Sequence, residues 1–242
     1  LIIIIDKLYK KLIKKIKQKF IYVYKHLKYS SIMIKFYDFK PAPSPTRVRI
    51  FINEKRIDIK TINVDLRSGE HFKEEFKKLN PWLTVPVLEL DDGSTISEIS
   101  ACCRFLEETY PEPNLMGASP KEKALIEMWN AHMENDGYVA VADLYRNTTK
   151  GYEESAKTGP YKYKQIPALA ERAQLQISNF YNFLNSRLKN NHYIAGNKFS
   201  IADITAYVTV NFAKWKEIHI SSNQDNLTRW YNLINDRPST DV

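Results

Sequence analysis

The sequence predicts an α/β domain followed by an all-helical half, and three observations support this prediction. From Met33 onward, short runs rich in aromatic and aliphatic residues alternate with segments of helical periodicity. A linker rich in helix breakers, with Pro111, Pro113 and Gly117, follows them. After this linker no convincing strand pattern recurs, and apolar residues keep a helical spacing. The predicted order of the first part is β-α-β-α-β-β-α.

The first strand is predicted over residues 33–39, which are mainly aromatic and aliphatic, and it ends at the proline-rich turn 41–45. Ser44 is a suitable N-cap and Pro45 suits the first helical position, so a helix is predicted to begin there. Residues 57–65 predict the second strand.

The remaining elements of the α/β part are a short helix, a hairpin and a longer helix. The short helix is predicted over residues 70–79. Apolar runs at 85–90 and 95–96 flank Asp-Asp-Gly-Ser (91–94), whose Asp-Gly pair is typical of a tight hairpin turn. Helical spacing returns over residues 99–110.

The second half is predicted to consist of helices alone, over about residues 120–148, 163–189, 200–218 and 225–235. Its sharpest local signal is a capping box of Ser200 and Asp203, beside which Phe199 can pack on Ile204. The predicted domains are therefore residues 32–111 and 112–242, preceded by an extension over residues 1–31.

Composition excludes several classes of protein. The 242 residues are 43% hydrophobic and 26% charged with only 7 glycines, which is typical of a globular protein and excludes collagen-like and disordered chains. No apolar run approaches the roughly 18 residues that suggest a membrane-spanning helix, which excludes membrane channels. The net charge of +8 resides in residues 1–31, with nine lysines and one acidic residue. The remaining residues carry no net charge, so we expect no nucleic acid as a partner.

The extension has two interpretations. Residues 1–29 alternate lysines with apolar residues at helical spacing, which predicts a basic amphipathic helix able to lie on an anionic membrane surface. Alternatively, the segment is not part of the working protein, because Met33 opens the first strand and Lys-rich, Ile-rich runs also arise from translated upstream sequence. The second interpretation is favoured here.

No metal site is expected. Cys102 and Cys103 are adjacent, so they form neither a disulfide framework nor a zinc site, and they fit buried packing positions in a reducing compartment. The five histidines stand far apart without ligand-spaced partners: His26, His71, His132, His192 and His219.

From Met33 to about Pro238, the sequence resembles the glutathione S-transferase superfamily. Three features in chain order carry the resemblance: Ser-Pro-Thr-Arg-Val-Arg-Ile (44–50), Asn-Pro-Trp-Leu-Thr-Val-Pro-Val-Leu (80–88) followed by Ser97-Glu98, and the capping box at 200–203. They look closest to bacterial members with a Ser-Pro-x-Arg-Val-Arg start. The resemblance implies a thioredoxin-like N-terminal domain that binds glutathione and a helical C-terminal domain that supplies most of the second substrate's pocket.

For glutathione binding, the resemblance implies a cis bond before Pro86, which turns the N–H and C=O of Val85 toward the ligand's cysteine. A peptide ligand needs such backbone partners, because it can add to a sheet as one more strand. Glu98 could meet the ammonium group of the γ-glutamyl moiety. In most members a serine follows and holds the γ-glutamyl carboxylate, whereas Ile99 stands here with its hydroxyl neighbours Ser97 and Ser100 one position away.

For catalysis, the resemblance implies that Ser44 stabilises the glutathione thiolate, since related bacterial enzymes carry a catalytic Ser or Cys at this position. A hydroxyl at a helix N-terminus favours an anion, although Ser44 as a helix cap alone is also consistent with its type and place. Tyr37 is the alternative hydroxyl, but it fits a strand's core position better. Tyr138 and Tyr145 lie on the first long helix of the second half, where the aromatic stripe fits core packing better than the substrate pocket.

The leading prediction is therefore a cytoplasmic, homodimeric glutathione transferase in detoxification, joining glutathione as co-substrate to small, mostly apolar electrophiles, without a metal. Glutathione-dependent peroxide reduction or isomerisation on the same site is one alternative. A non-catalytic scaffold for protein contacts is another, for which Ile99 is the main argument.

Overall fold

The computed structural model describes residues 33–242 and, from the segment before them, only Ile13. The amphipathic helix predicted over residues 1–29 lies, apart from Ile13, outside the described residues. Its two interpretations therefore stay predictions.

The first half contains a four-stranded mixed sheet, and its element order confirms the predicted β-α-β-α-β-β-α. The spatial order of the strands is β2-β1-β3-β4. β1 pairs in parallel with β2 and antiparallel with β3, and β3 pairs antiparallel with β4 in a hairpin. The strands are β1 (Lys35–Asp38), β2 (Lys60–Asn63), β3 (Val87–Glu89) and β4 (Thr95–Ser97).

Three α-helices accompany the sheet: α1 (Pro43–Lys55), α2 (Glu74–Leu79) and α3 (Ile99–Thr109). The helix predicted over residues 70–79 is divided, because a 3₁₀ turn over Glu70–Phe72 ends where Lys73 returns to extended backbone. The second strand is shorter than the predicted 57–65, since only its central residues pair with β1.

Ser44 is not the N-cap of α1, so this prediction was wrong. Ala42 takes that position with extended backbone, and Pro43 is the first helical residue. Proline at this position is preorganised for a helix by its fixed φ, so the helix begins before Ser44. Ser44 thus lies in the first turn, between Pro43 and Pro45.

The second half is helical in its described part, as predicted. The predicted helix over 120–148 consists of two α-helices joined by a π-helical turn, Met133–Tyr138, which we call the π segment. The helix predicted from Tyr163 begins only at a proline that takes its first turn, Pro167. The helices are α4 (Pro120–His132), α5 (Val139–Thr148), α6 (Pro167–Leu188), α7 (Ile201–Ala213) and α8 (Asp225–Asn235).

One hydrophobic core joins the two halves. Phe36 of β1, Phe51 of α1 and Leu106 of α3 belong to the same buried cluster as the residues of α7, a helix that is buried along nearly its whole length. The smaller cluster around Phe76 and Val87 covers the other face of the sheet. Within residues 33–242, no helix combines the length and apolar character needed to cross a membrane.

The C-terminal end of α1 is anchored by buried charges. The Lys55 ammonium lies 2.6 Å from Glu107 on α3 and donates to the carbonyls of Tyr110 and Pro113. Glu107 also accepts from the backbone N–H of Leu115, so one ion pair fixes the linker between the halves. Burial lowers the pKa of Lys55, and the carboxylate of Glu107 opposes this effect.

The predicted capping box at the start of α7 is confirmed. Asp203 is fully buried and accepts from the N–H of Ser200 at 3.0 Å. It also accepts from the N–H of Ile194 and from Trp230 Nε1, each at 2.9 Å. One carboxylate therefore ties together α7, α8 and the loop before α7.

We expect Asp203→Ala to lower the free energy of unfolding by more than about 3 kcal/mol, because it leaves several buried donors without an acceptor. Tyr181→Phe is the matched control. Its hydroxyl is buried and has no hydrogen-bond partner within residues 33–242, so its loss is expected to change stability by less than about 0.5 kcal/mol. Urea denaturation measures both, and equal stabilities would refute the structural role of Asp203.

Candidate active site

Ser44 lies at the boundary between the two halves. Of the first three residues of α1, only Ser44 carries a backbone N–H, since Pro43 and Pro45 have none. Its side chain is half-buried, and its Oγ lies 2.8 Å from the hydroxyl oxygen of Tyr138 in the helical half. Ser44 therefore presents an N–H and a hydroxyl at a helix end, where the dipole favours negative charge.

The π segment supplies the groups that face this end of α1. The Glu134 carboxylate forms an ion pair with Arg47, one turn after Ser44. The Arg47 guanidinium also lies over the Tyr138 ring, 3.8 Å from its centroid. Gly137 is needed within the segment, because a Cβ there would overlap the ring of Phe180. Close packing on α6 thus holds the segment against α1.

The segment before β3 leaves backbone groups open. The Val85–Pro86 bond is cis, as the resemblance implies. Val85 is buried, yet within residues 33–242 neither its N–H nor its C=O forms a backbone hydrogen bond. Buried backbone groups are nearly always paired, so this residue is suited to pair with the backbone of a ligand.

Glu98 has an unusual backbone at the start of α3. It is the N-cap residue, with a φ of 69° and a ψ of 133°, and its side chain is exposed. Such a conformation costs about 1–3 kcal/mol in a residue with a Cβ and is concentrated at functional sites. Ile99 is the first residue of the helix, where backbone N–H groups have no partner within the helix. This end of α3 is thus a second place that favours an anion.

The alternative hydroxyl, Tyr37, is already engaged. It donates to Glu89 on β3 at 2.5 Å, and Lys35 holds the same carboxylate at 2.9 Å. Burial and the negative charge of Glu89 raise the pKa of Tyr37 to about 12. A phenol held in this way does not serve as a donor to a thiolate.

The cysteines are packing residues, as predicted. Cys102 and Cys103 are fully buried on α3, and burial raises the pKa of Cys102 to about 12 and that of Cys103 well above its usual value. Neither thiol supplies a reactive nucleophile, because the thiolate is the reactive form. Across residues 33–242, no group of three or more His, Cys, Asp or Glu could hold a metal ion.

Comparison with known proteins decides the family. The family model of the glutathione S-transferase N-terminal domain matches residues 42–109, and that of the C-terminal domain matches residues 154–238. Glutathione S-transferase 2 of Saccharomyces cerevisiae is 32% identical over 205 residues, which cover 84% of this chain and 86% of the relative. The chain belongs to the glutathione S-transferase superfamily.

Solved structures confirm the thioredoxin-like and helical halves. A glutathione S-transferase domain-containing protein of Marinobacter aquaeolei has a TM-score of 0.79 at 36% identity, with 85% of this chain and 99% of that chain covered.

A disulfide-bond oxidoreductase of Escherichia coli is 24% identical over 212 residues, which cover 86% of this chain and 93% of the relative. These similarities support a glutathione-related transferase or redox function.

Within this transferase fold, the aromatic residues of the helical half divide into separate groups. Tyr138 and Tyr145 both pack on Phe212, with ring centroids 5.7 and 5.4 Å apart, and both are partly exposed. Trp129 instead stacks on Phe183, and Met133 is fully buried. The predicted core packing thus holds in part for Tyr138 and Tyr145, which lie against the core while partly exposed, and Tyr138 also lies beside Ser44.

Neither Arg47 nor Glu134 had a predicted role. Arg47 stood within the Ser-Pro-Thr-Arg-Val-Arg motif, and the structure buries it to 2% exposure. A charged residue three positions after Ser44 on a helix with an apolar face is a signal that an acidic partner is needed. No pattern, however, identified Glu134 as this partner, because 87 residues separate the two in sequence.

We expect Ile99→Ser to tighten glutathione binding by up to about tenfold if it restores one hydrogen bond to the γ-glutamyl carboxylate. Ile99→Ala is the control, since it removes the same side chain without adding a hydroxyl. Calorimetric titration with glutathione measures both. Equal affinities of the two variants would contradict the assignment of the carboxylate to this helix end.

Proposed function

We propose that this protein is a glutathione transferase that joins the glutathione thiolate to small, mostly apolar electrophiles. The observation that carries the proposal is the position of Ser44. Its hydroxyl and N–H stand together in the first turn of α1, at the boundary with the helical half, and the chain belongs to a glutathione S-transferase family.

The reaction requires a thiolate at neutral pH. A free cysteine thiol, with a pKa near 8.5, is mostly protonated there. Lowering that pKa by about 2 units takes about 2.7 kcal/mol of preference for the anion. The Ser44 hydroxyl supplies a hydrogen bond to the charged sulfur, and the N-terminus of α1 adds its partial positive charge.

The other predicted residues bind glutathione. The N–H and C=O of Val85, held by the cis bond to Pro86, pair with the backbone of the ligand's cysteine. The exposed carboxylate of Glu98 meets the γ-glutamyl ammonium, and the N–H of Ile99 meets the γ-glutamyl carboxylate. Two anionic groups of glutathione, the thiolate and this carboxylate, thereby each face a helix N-terminus.

The second substrate would lie against the aromatic group around Phe212. The Trp215 ring meets the rings of Tyr145 and Phe212 edge to face, and Trp215 is half exposed. Apolar surfaces of this kind bind apolar ligands through burial. The thiolate forms a bond to the electrophilic carbon, the leaving group departs with the bonding electron pair, and the thiol proton passes to solvent.

The finer assignments follow the family resemblance. We propose a cytoplasmic homodimer with a role in detoxification. The similarity to the disulfide-bond oxidoreductase of Escherichia coli favours the redox alternative. Both cysteines of this chain are buried, however, so neither thiol is available to react. A redox reaction on this site would therefore have to use glutathione itself as the thiol. The argument for a non-catalytic scaffold is Ile99, which lacks the hydroxyl that holds the γ-glutamyl carboxylate in most family members.

Two measurements distinguish the transferase, the redox enzyme and the scaffold: retention on immobilised glutathione and turnover of an aromatic halide. The transferase is expected to bind and to release halide, and Tyr181→Phe is expected to behave identically. Binding without turnover would favour the scaffold or, if peroxide is reduced, the redox enzyme. If the protein neither binds glutathione nor turns over the halide, glutathione is not its ligand.

We expect Ser44→Ala to raise the pKa of bound glutathione by about 1–2 units, because the charged sulfur loses a hydrogen bond. The ultraviolet absorbance of the thiolate against pH measures this shift. Glutathione affinity should change little at a pH below the pKa, where the bound thiol is neutral. An unchanged titration would leave Ser44 without a role in thiol activation.

A further inference from the structure

Packing does not explain the hydroxyl of Tyr138 in the helical half. Its ring alone provides the contact with Arg47 at 3.8 Å and the packing on Phe212. A phenylalanine would make both contacts equally well. The hydroxyl instead reaches across to the other half of the molecule, where it lies 2.8 Å from Ser44 Oγ.

The chemistry of the pair sets the direction of this hydrogen bond. Both groups can donate and accept. A phenol is more acidic than an aliphatic alcohol, so it is the better donor of the two. When Tyr138 donates, Ser44 accepts through a lone pair, and the serine proton stays free to be donated to a third group.

The environment holds Tyr138 in place for this role. Arg47 is buried and ion-paired with Glu134, and its Nε and Nη2 have no hydrogen-bond partner within residues 33–242. Because an uncompensated buried charge is costly, Arg47 keeps its contacts with Glu134 and with the ring face of Tyr138. The ring is therefore fixed across the boundary before any ligand binds.

We propose that Tyr138 is a positioning residue that acts on glutathione through Ser44. Its hydroxyl donates to Ser44 Oγ, fixes the serine side chain, and strengthens the hydrogen bond that Ser44 donates to the thiolate, since chains of hydrogen bonds polarise one another. Neither hydroxyl loses its proton, and the thiol proton leaves to solvent. This proposal rests on the proposed function of Ser44.

The test is the titration of the bound thiol in four proteins: wild type, Tyr138→Phe, Ser44→Ala and the double variant. Tyr138→Phe is expected to raise the pKa of bound glutathione by about half a unit to one unit. The double variant is expected to match Ser44→Ala, because the phenol acts only through the serine. Thermal unfolding checks that Tyr138→Phe, which keeps the ring, remains folded.

Tyr181→Phe is the control, since it makes the same chemical change at another tyrosine of the helical half, whose hydroxyl is buried and far in sequence from Ser44, and it should leave the titration unchanged. The proposal is overturned if Tyr138→Phe has no effect while Ser44→Ala does. The proposal is also overturned if Tyr138→Phe raises the pKa of bound glutathione equally in the wild type and in Ser44→Ala. Tyr138 would then contact the sulfur directly. A wild type that does not lower the thiol pKa refutes the function of Ser44 itself and this proposal with it.

Discussion

The buried positive charge of Arg47 constrains the whole boundary between the two halves. Removing a guanidinium from water costs several kcal/mol unless an opposite charge and a polarisable surface replace the solvent. Glu134 and the ring of Tyr138 provide these, and both belong to the π segment of the helical half. Within residues 33–242, the groups that replace water around Arg47 therefore come from the helical half, so this ion pair and ring contact link the two halves.

This constraint explains why α1 is a precise support for a reactive site. Arg47 holds it one turn after its start, and the buried pair of Lys55 and Glu107 holds its C-terminal end. Glu54 adds a bidentate contact with Arg237, at 2.7 and 2.8 Å, from the end of the helical half. Ser44 thus stands on a helix fixed at both ends, and a hydroxyl that must meet a sulfur within hydrogen-bond distance needs such a support.

The π segment is the counterpart of α1. A π-helical turn changes the direction in which the following residues point relative to a regular helix, and such turns are frequent at functional sites. Here the turn is packed on Phe180 through Gly137, and it carries both Glu134 and Tyr138. The same short segment therefore neutralises Arg47 and supplies the hydroxyl beside Ser44. Structure and proposed chemistry depend on one local irregularity.

Features that arise from local interactions could be predicted from the residues alone. Alternation of period two and period 3.6 gave the order of elements, Asp-Gly gave the hairpin, and Ser200 with Asp203 gave the start of α7. Boundaries such as the start of α1 were wrong by one or two residues, since Pro43 and Pro45 are equally suited to a first helical turn. Two contacts across the boundary could not be predicted: the contact of Tyr138, and not Tyr145, with Ser44, and the pairing of Glu134 with Arg47. Periodicity shows which face of a helix is apolar, whereas the partner of a polar side chain is set by the packing of elements far apart in the chain.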